Sequence, residues 1–410
     1  MRYRKNPTAF TRSRKLPFGK MILLLMKSMK QSLQYGLYDF FKNRLPDTTI
    51  PTKSAFSQRR RDLSHGVFIE ANDILVQGLY EEEAFKYWMD FRLLGIDGSK
   101  LNLPDSAELM QNFGTQSNPY GAHAMALMSC CHDLLNNLTV AATIGSCKAS
   151  EYKQACDLVE TIGDSNDLLV FDRGYGAFWF MHFLLRNRKE FVIRLNSVVI
   201  PEAKDWPIGS IIYDYPMPNR NAKVKFTAEQ EPFTPFKIRL ITIILPNGAR
   251  ELLATSLLDE EKFPFDMFEE LYALRWGIET YYSHLKIHME LENFSGKSEE
   301  SIRQDFFAGI FMENMRVALE INANENLVKE HQEKDLEYQY QVNRNISFGI
   351  LRDKFVEICL VANQRDDILL QMTELFKLSK IPIKLGRHVT RPSSRLGTRR
   401  RFFMSNRRAM

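Results

Sequence analysis

The feature that most restricts the fold of this chain is the order of apolar segments between about residues 86 and 196, where short strand-like runs alternate with helical ones. "FRLLGIDGSKLNLP" reads as a strand leading into Asp97 and a glycine turn, and "AHAMALMSCCHDLLNNLTVAATIG" as two strands joined at "DLLNN", the Ala and Met content leaving a helix as the alternative for the first. "SEYKQACDLVETI" has helical spacing, "DLLVFDRGY" is a short buried-strand run ending at Asp172, "GAFWFMHFLLRN" is a helix and "EFVIRLN" a strand. Three strands, a helix, a strand, a helix and a strand specify an α/β domain with a mixed sheet, since each run is too short to bury its apolar face alone.

The flanks have other textures. Helical segments at about 16–44 and 54–80 are joined by "LPDTTIPTKS", where Pro46 and Pro51 interrupt the pattern. From about 197 to 262, "SIIYDYP", "KVKFTA", "FKIRLITIILP" and "RELLATSLLD" are strand candidates separated by Pro, Gly and Asn, a β-rich insertion. A helix follows with Asp266 as expected N-cap and Glu269 at N3, and further helices are expected at about 299–330 and 345–379. The expected organisation is a basic helical domain at 1–85, an α/β domain at 86–345 carrying the insertion, and a C-terminal helix with an Arg-rich tail at 346–410.

Charge is segregated. Residues 1–61 hold fifteen Lys and Arg against Asp39 and Asp47, and residues 384–410 hold nine against no acid, so basic ends flank an acidic body. Such ends suit a polyanion, because each cation that neutralises a phosphate releases condensed counterions. Cys130, Cys131, Cys147, Cys156 and Cys359 include no CxxC pair, which points to a reducing compartment and away from a disulfide framework or zinc site. The apolar run Met21 to Met26 is too short to span a bilayer. His284 and His288 have helical metal-pair spacing without an HExxH motif and read as surface histidines.

The chemistry concentrates in three acids and one helix. Asp97 and Asp172 each close an apolar strand, at the sheet edge where open α/β folds place their sites. In "LYALRWGIETYYSHLK", Tyr272, Arg275, Glu279 and Lys286 fall within roughly 60° of one another on a regular helix, beside the apolar stripe of Leu271, Leu274, Ile278 and Leu285. Arg275 and Glu279 also have the spacing of an ordinary surface ion pair. Three converging carboxylates offer hard oxygen ligands for Mg²⁺, with Mn²⁺ able to substitute, and two such ions can support an in-line phosphoryl displacement. Arg275 and Lys286 would then hold phosphates of the substrate.

The spacing Tyr272, Arg275, Glu279, Lys286 resembles the Y-R-E-K signature of bacterial DDE insertion-sequence transposases of the insertion-sequence-four family. "IDGS" around Asp97 and "DRGY" from Asp172 resemble its two aspartate motifs, and "FTRSRKL", "SAFSQRRRDL" and the Arg-rich end look like its terminal regions. The resemblance implies a ribonuclease H-like mixed sheet flanked by helices, with Asp97, Asp172 and Glu279 as ligands of two Mg²⁺ ions. It implies that Tyr272, Arg275 and Lys286 hold terminal DNA phosphates, and Trp206 is the candidate for stacking on a flipped base. The implied activity is cut-and-paste transposition: strand cleavage at terminal inverted repeats, hairpin formation, and strand transfer into target DNA. The implied setting is a homodimeric synaptic complex on double-stranded DNA, in the bacterial cytoplasm at the nucleoid, with no membrane partner. A metal-dependent endonuclease without strand transfer, or a relic acting as a DNA-binding repressor, are the alternatives.

Overall fold

The computed structural model describes residues 2–11, 15–27, 32–43, 49–81, 85–119, 121–163, 166–196, 200, 206–215, 223, 232–244, 248–334 and 337–383. In chain order the elements are helices α1 (Phe18–Met26), α2 (Leu33–Tyr38), α3 (Lys53–Arg61) and α4 (Gly66–Tyr80), strand β1 (Arg92–Asn102), α5 (Ala107–Phe113), β2 (Thr115–Asn118), β3 (Gly121–Asp133) and β4 (Thr139–Ser146). There follow α6 (Glu151–Thr161), β5 (Asp167–Phe171), α7 (Phe178–Arg186), β6 (Glu190–Leu195), β7 (Gly209–Tyr215), β8 (Phe236–Ile244), β9 (Arg250–Thr255), α8 (Met267–Ala273) and α9 (Trp276–Ser283). The chain continues through α10 (Glu299–Lys334), β10 (Tyr340–Val342), α11 (Arg344–Leu360), α12 (Arg365–Leu378) and β11 (Lys380–Pro382). These form two compact units, one of residues 80–99 and 127–283, the other of 1–79, 100–126 and 284–410.

The first unit carries a mixed sheet in the order β3, β1, β5, β6, β9, β8, β7, with β4 beside β3. β1, β5 and β6 run parallel, as the intervening helices α6 and α7 require of crossover connections, and β6, β9, β8 and β7 pair antiparallel. The order β4, β3, β1, β5, β6 is ribonuclease H-like. Every residue of β5 is buried, which explains why residues 168–171 are a continuous apolar run rather than an alternating one; Asp167, at its start, is paired with Arg92 and Lys189. Helices α6 and α7 close a core of Leu94, Leu169, Phe171, Phe180, Met181 and Phe191. The β-rich insertion contributes β7, β8 and β9 as an extension of the same sheet; the "KVKFTA" strand candidate lies almost wholly outside the described residues.

In the second unit, β2 and the start of β3 form an antiparallel hairpin, from Thr115 opposite Ala124 to Asn118 opposite Gly121. The basic helix α3 is tied to α10 by Arg60, whose side chain donates to Gln304 Oε1 at 2.6 Å, Ser301 O at 2.8 Å and Asp305 Oδ1 at 2.7 Å. Of the "RRR" run, Arg60 is therefore spent on the interior, Arg59 pairs with Asp62 and lies over the Phe10 ring, and Arg61 is exposed. Further along α10, buried Glu313 and Glu320 bracket Arg316, and His284 Nε2 lies 3.2 Å from Glu313. His284 is thus buried, not the surface residue its spacing suggested, because an ionised Glu313 needs donors around it; His288 is exposed. The Arg-rich tail lies outside the described residues.

Candidate active site

The sheet register sets up the site. β1 pairs with β5 as far as Gly95 opposite Val170, and Asp97 and Asp172 each lie two residues beyond that pair, Asp97 within β1 and Asp172 just past the end of β5. β5 pairs with β6 with Phe171 opposite Ile193, which brings Arg194 level with Asp172 on its other side. Neighbouring strands lie about 4.8 Å apart, so the two carboxylates share one patch of sheet.

Asp97 differs from its expected setting in one respect: β1 does not turn there but runs on to Asn102. Gly98 sits at a close approach instead, since a Cβ at that position would meet Glu151 Cγ at 3.1 Å. The Gly98 N–H donates to Asp97 Oδ1 at 2.8 Å. Asp172 does end its strand, and its Oδ1 accepts from Gly174 N–H at 2.8 Å, closing the single helical turn Arg173–Tyr175. The main chain of Asp97 is held by Tyr282, whose hydroxyl donates to the Asp97 carbonyl and accepts from Cys130 N–H at 3.0 Å.

The segment bearing Tyr272, Arg275 and Glu279 is not one regular helix. α8 stops at Ala273, Leu274 and Arg275 form a turn, and α9 starts at Trp276, with Gly277 N–H bonding back to Leu274 O at 2.8 Å. The break overturns the single-stripe geometry: Leu274, expected in the apolar face, is 37% exposed, while Arg275 is only 6% exposed. Asp266 precedes α8 but makes no side-chain capping bond. Arg275 instead becomes a hub. Its Nη2 donates to Glu279 Oε1 at 2.9 Å, its guanidinium lies over the Tyr272 and Trp276 rings, and its charge acts on both Asp172 and Asp97. The ion pair with Glu279 forms as the spacing allowed, but at a buried position rather than on the surface.

Burial pushes the Asp97 carboxyl up to about 6, with Asp172 and Glu151 adding to the shift and the Gly98 N–H and Arg275 opposing it. Next to this acidic pair lie two buried donors with no hydrogen-bond partner among the described residues, the Tyr272 hydroxyl and Arg275 Nε. Burial also raises the Tyr272 hydroxyl to about 12, so it stays a donor. Two unspent donors near two carboxylates suit an anionic group that the acids themselves could not hold.

Asp97 and Asp172 offer the hard oxygens that Mg²⁺ or Mn²⁺ prefers, and a buried carboxylate with a like-charged neighbour is stabilised by a cation. The residues fit such an ion to that extent. Among the described residues no three His, Cys, Asp or Glu side chains are gathered as metal ligands, and Glu279 is linked to the pair through Arg275. Lys286 belongs to the other unit, where its Nζ donates to Lys100 O at 2.6 Å. Trp206 is half-buried and packs on the hydrophobic core of its own unit. Sequence reasoning passed over Glu151, Tyr175 and Arg194; only Tyr175 carried a signal, as the last residue of "DRGY".

Residues 88–315, more than half of the chain and including all three acids, match the family model described as the transposase DDE domain. The chain belongs to the DDE transposase family. Transposase InsG for insertion sequence element IS4, from Escherichia coli K12, is 26% identical over 75% of this chain and 71% of its own length. Putative transposase y4zB from Sinorhizobium fredii is 23% identical over 39% of this chain and 44% of its own. A cryo-EM structure of the piggyBac transposase synaptic complex with hairpin DNA aligns with 90% of this DDE transposase chain and 76% of that chain, at 12% identity and a TM-score of 0.42. Among the described residues no helix is long and apolar enough to cross a membrane.

Proposed function

We propose that this chain is an active cut-and-paste transposase of an insertion sequence, cleaving DNA at terminal inverted repeats and joining the freed ends to target DNA. The observation that supports this reading is the register that sets Asp97 and Asp172 each two residues beyond the paired Gly95 and Val170, together with the unspent donors of Tyr272 and Arg275. Asp97, Asp172 and Glu279 would hold two divalent ions, whose contribution when bound is to polarise the scissile phosphate and stabilise its developing charge.

The protein's own groups then have distinct roles. Tyr272 and Arg275 donate to non-bridging oxygens of a terminal phosphate, and Lys286 grips another. Water attack at the element boundary breaks one phosphodiester bond and frees a 3′-hydroxyl. That hydroxyl attacks the opposite strand, forming a hairpin and releasing the flanking DNA. Water reopens the hairpin, and the regenerated 3′-hydroxyls attack target phosphates. Trp206 would stack on a base flipped near the cut. The basic N-terminal helices, in a domain of residues 1–85, and the C-terminal arginines add phosphate contacts outside the domain of residues 86–345. Two ends must be brought together, so the working form is a homodimer in a synaptic complex on the nucleoid in the cytoplasm.

The test uses purified protein, Mg²⁺ and a linear duplex ending in the repeat that flanks the gene, with products followed strand by strand on a denaturing gel. A nick at the repeat boundary followed by a hairpin, both absent in Glu279→Gln, is the expected result. Cutting that ignores the boundary and yields no hairpin would replace this reading with a nuclease, and tight binding without cutting would replace it with a DNA-binding relic.

A further inference from the structure

Tyr175 presents a problem that packing does not solve. Its ring is 1% exposed and sits among Phe171, Tyr152 and Phe180, with centroids at 5.1, 5.4 and 5.8 Å. Its hydroxyl, equally buried, has no hydrogen-bond partner among the described residues. Phenylalanine would fill the same pocket without the cost of a desolvated, unpaired hydroxyl.

The surroundings of that hydroxyl are specific. The turn Arg173–Tyr175, closed by Tyr175 N–H to Asp172 O at 3.2 Å, fixes the side chain one turn beyond Asp172. Burial acts most strongly on the hydroxyl, followed by the charges of Asp97, Glu151 and Asp172 and then by Tyr152; the three carboxylates are acceptors when ionised. Tyr282 already holds the carbonyl of Asp97. The Asp97 carboxylate accepts from the Gly98 N–H, and a carboxylate has room for several more donors.

We propose that Tyr175 is a positioning residue of the acidic centre, its hydroxyl donating a hydrogen bond to the Asp97 carboxylate when a divalent cation is bound there and so fixing that carboxylate's orientation. The inference rests on the metal-centre reading above. Tyr282 and Tyr175 then act on the same aspartate, the first holding its main chain and the second its side chain. The desolvated, unpaired hydroxyl is the cost that metal binding relieves.

The experiment compares full-length wild type, Tyr175→Phe and Asp172→Asn, each free of DNA, by Mn²⁺ calorimetry and by thermal melting without metal. Partners of metal ligands usually contribute ten- to a hundredfold in affinity, so Tyr175→Phe should bind Mn²⁺ about tenfold more weakly. It should melt at the same temperature as wild type or higher when metal is absent. Mn²⁺ affinity equal to wild type, or a lower metal-free melting temperature, would overturn the proposal and leave Tyr175 a packing residue. Equal Mn²⁺ binding by wild type and Asp172→Asn would overturn the metal centre itself, and this inference with it.

Discussion

Asp97 and Asp172 each lie two residues beyond Gly95 and Val170, which pair on adjacent parallel strands. This relationship is a property of the sheet backbone, so it survives substitution of either side chain. Chemistry and folding can therefore be separated at these positions.

Asp172→Asn and Glu279→Gln are expected to lower strand cleavage by about a thousandfold or more, the scale of several kcal/mol of lost charge stabilisation. Binding to the terminal repeats should be unchanged in a gel-shift titration. Loss of end binding in a folded variant would show that these acids also serve DNA recognition.

Tyr272→Phe removes a donor that is unpaired in the free protein, so its melting temperature should not fall. Cleavage should fall by about tenfold, the value of one hydrogen bond to a charged group. Lys286→Ala should slow hairpin formation by about tenfold while leaving the first nick within about threefold of wild type. Quenched time courses resolved by strand distinguish the two steps, and equal slowing of both would remove the special role of Lys286.

Glu313 gives the fold an acid limit. Burial alone would raise its carboxyl, but Arg316 and His284 outweigh burial and hold it at about 2, below the ordinary 4.5. A carboxyl with a lowered folded pKa contributes stability that is complete above about pH 4.5 and is lost as pH falls toward 2. Glu313→Gln should therefore cost about 3 kcal/mol at pH 7, since it leaves buried Arg316 short of a partner. Urea titrations at pH 7 and pH 3 should show the gap between wild type and variant narrowing in acid; a gap that widens would refute the assignment.

Arg60→Ala should cost about 3 kcal/mol for the same reason, through Asp305 and Gln304. Arg61→Ala, one residue on and exposed, should leave stability within about 0.5 kcal/mol. Calorimetry of the two variants side by side checks the contrast.

The strand order around the acids was legible because period and length distinguish a five-residue buried strand from a helix, as in "DLLVF". Asp172 followed from its strand end. The expected setting of Asp97 was partly mistaken: Gly98 faces the Glu151 side chain and does not turn the chain. The break at Leu274 and Arg275 had no local signal, since neither residue is a helix breaker. At that break Arg275 is buried and its charge acts on Asp172, about a hundred residues away in sequence, a relationship that no local pattern encodes. His284 was misjudged likewise, because a buried charge is recognisable only once its partner is known.

Arg60 also bears on how such a chain can be altered. The helix that supplies it closes over Gln304, Ser301 and Asp305, so removing the amino-terminal helices would strip the arginine from Asp305 and leave polar groups of α10 facing a void. Replacing the amino-terminal region with that of a relative would succeed only where the donor brings an arginine at this position. A graft that omits it should yield an insoluble product, whatever DNA sequence its helices prefer.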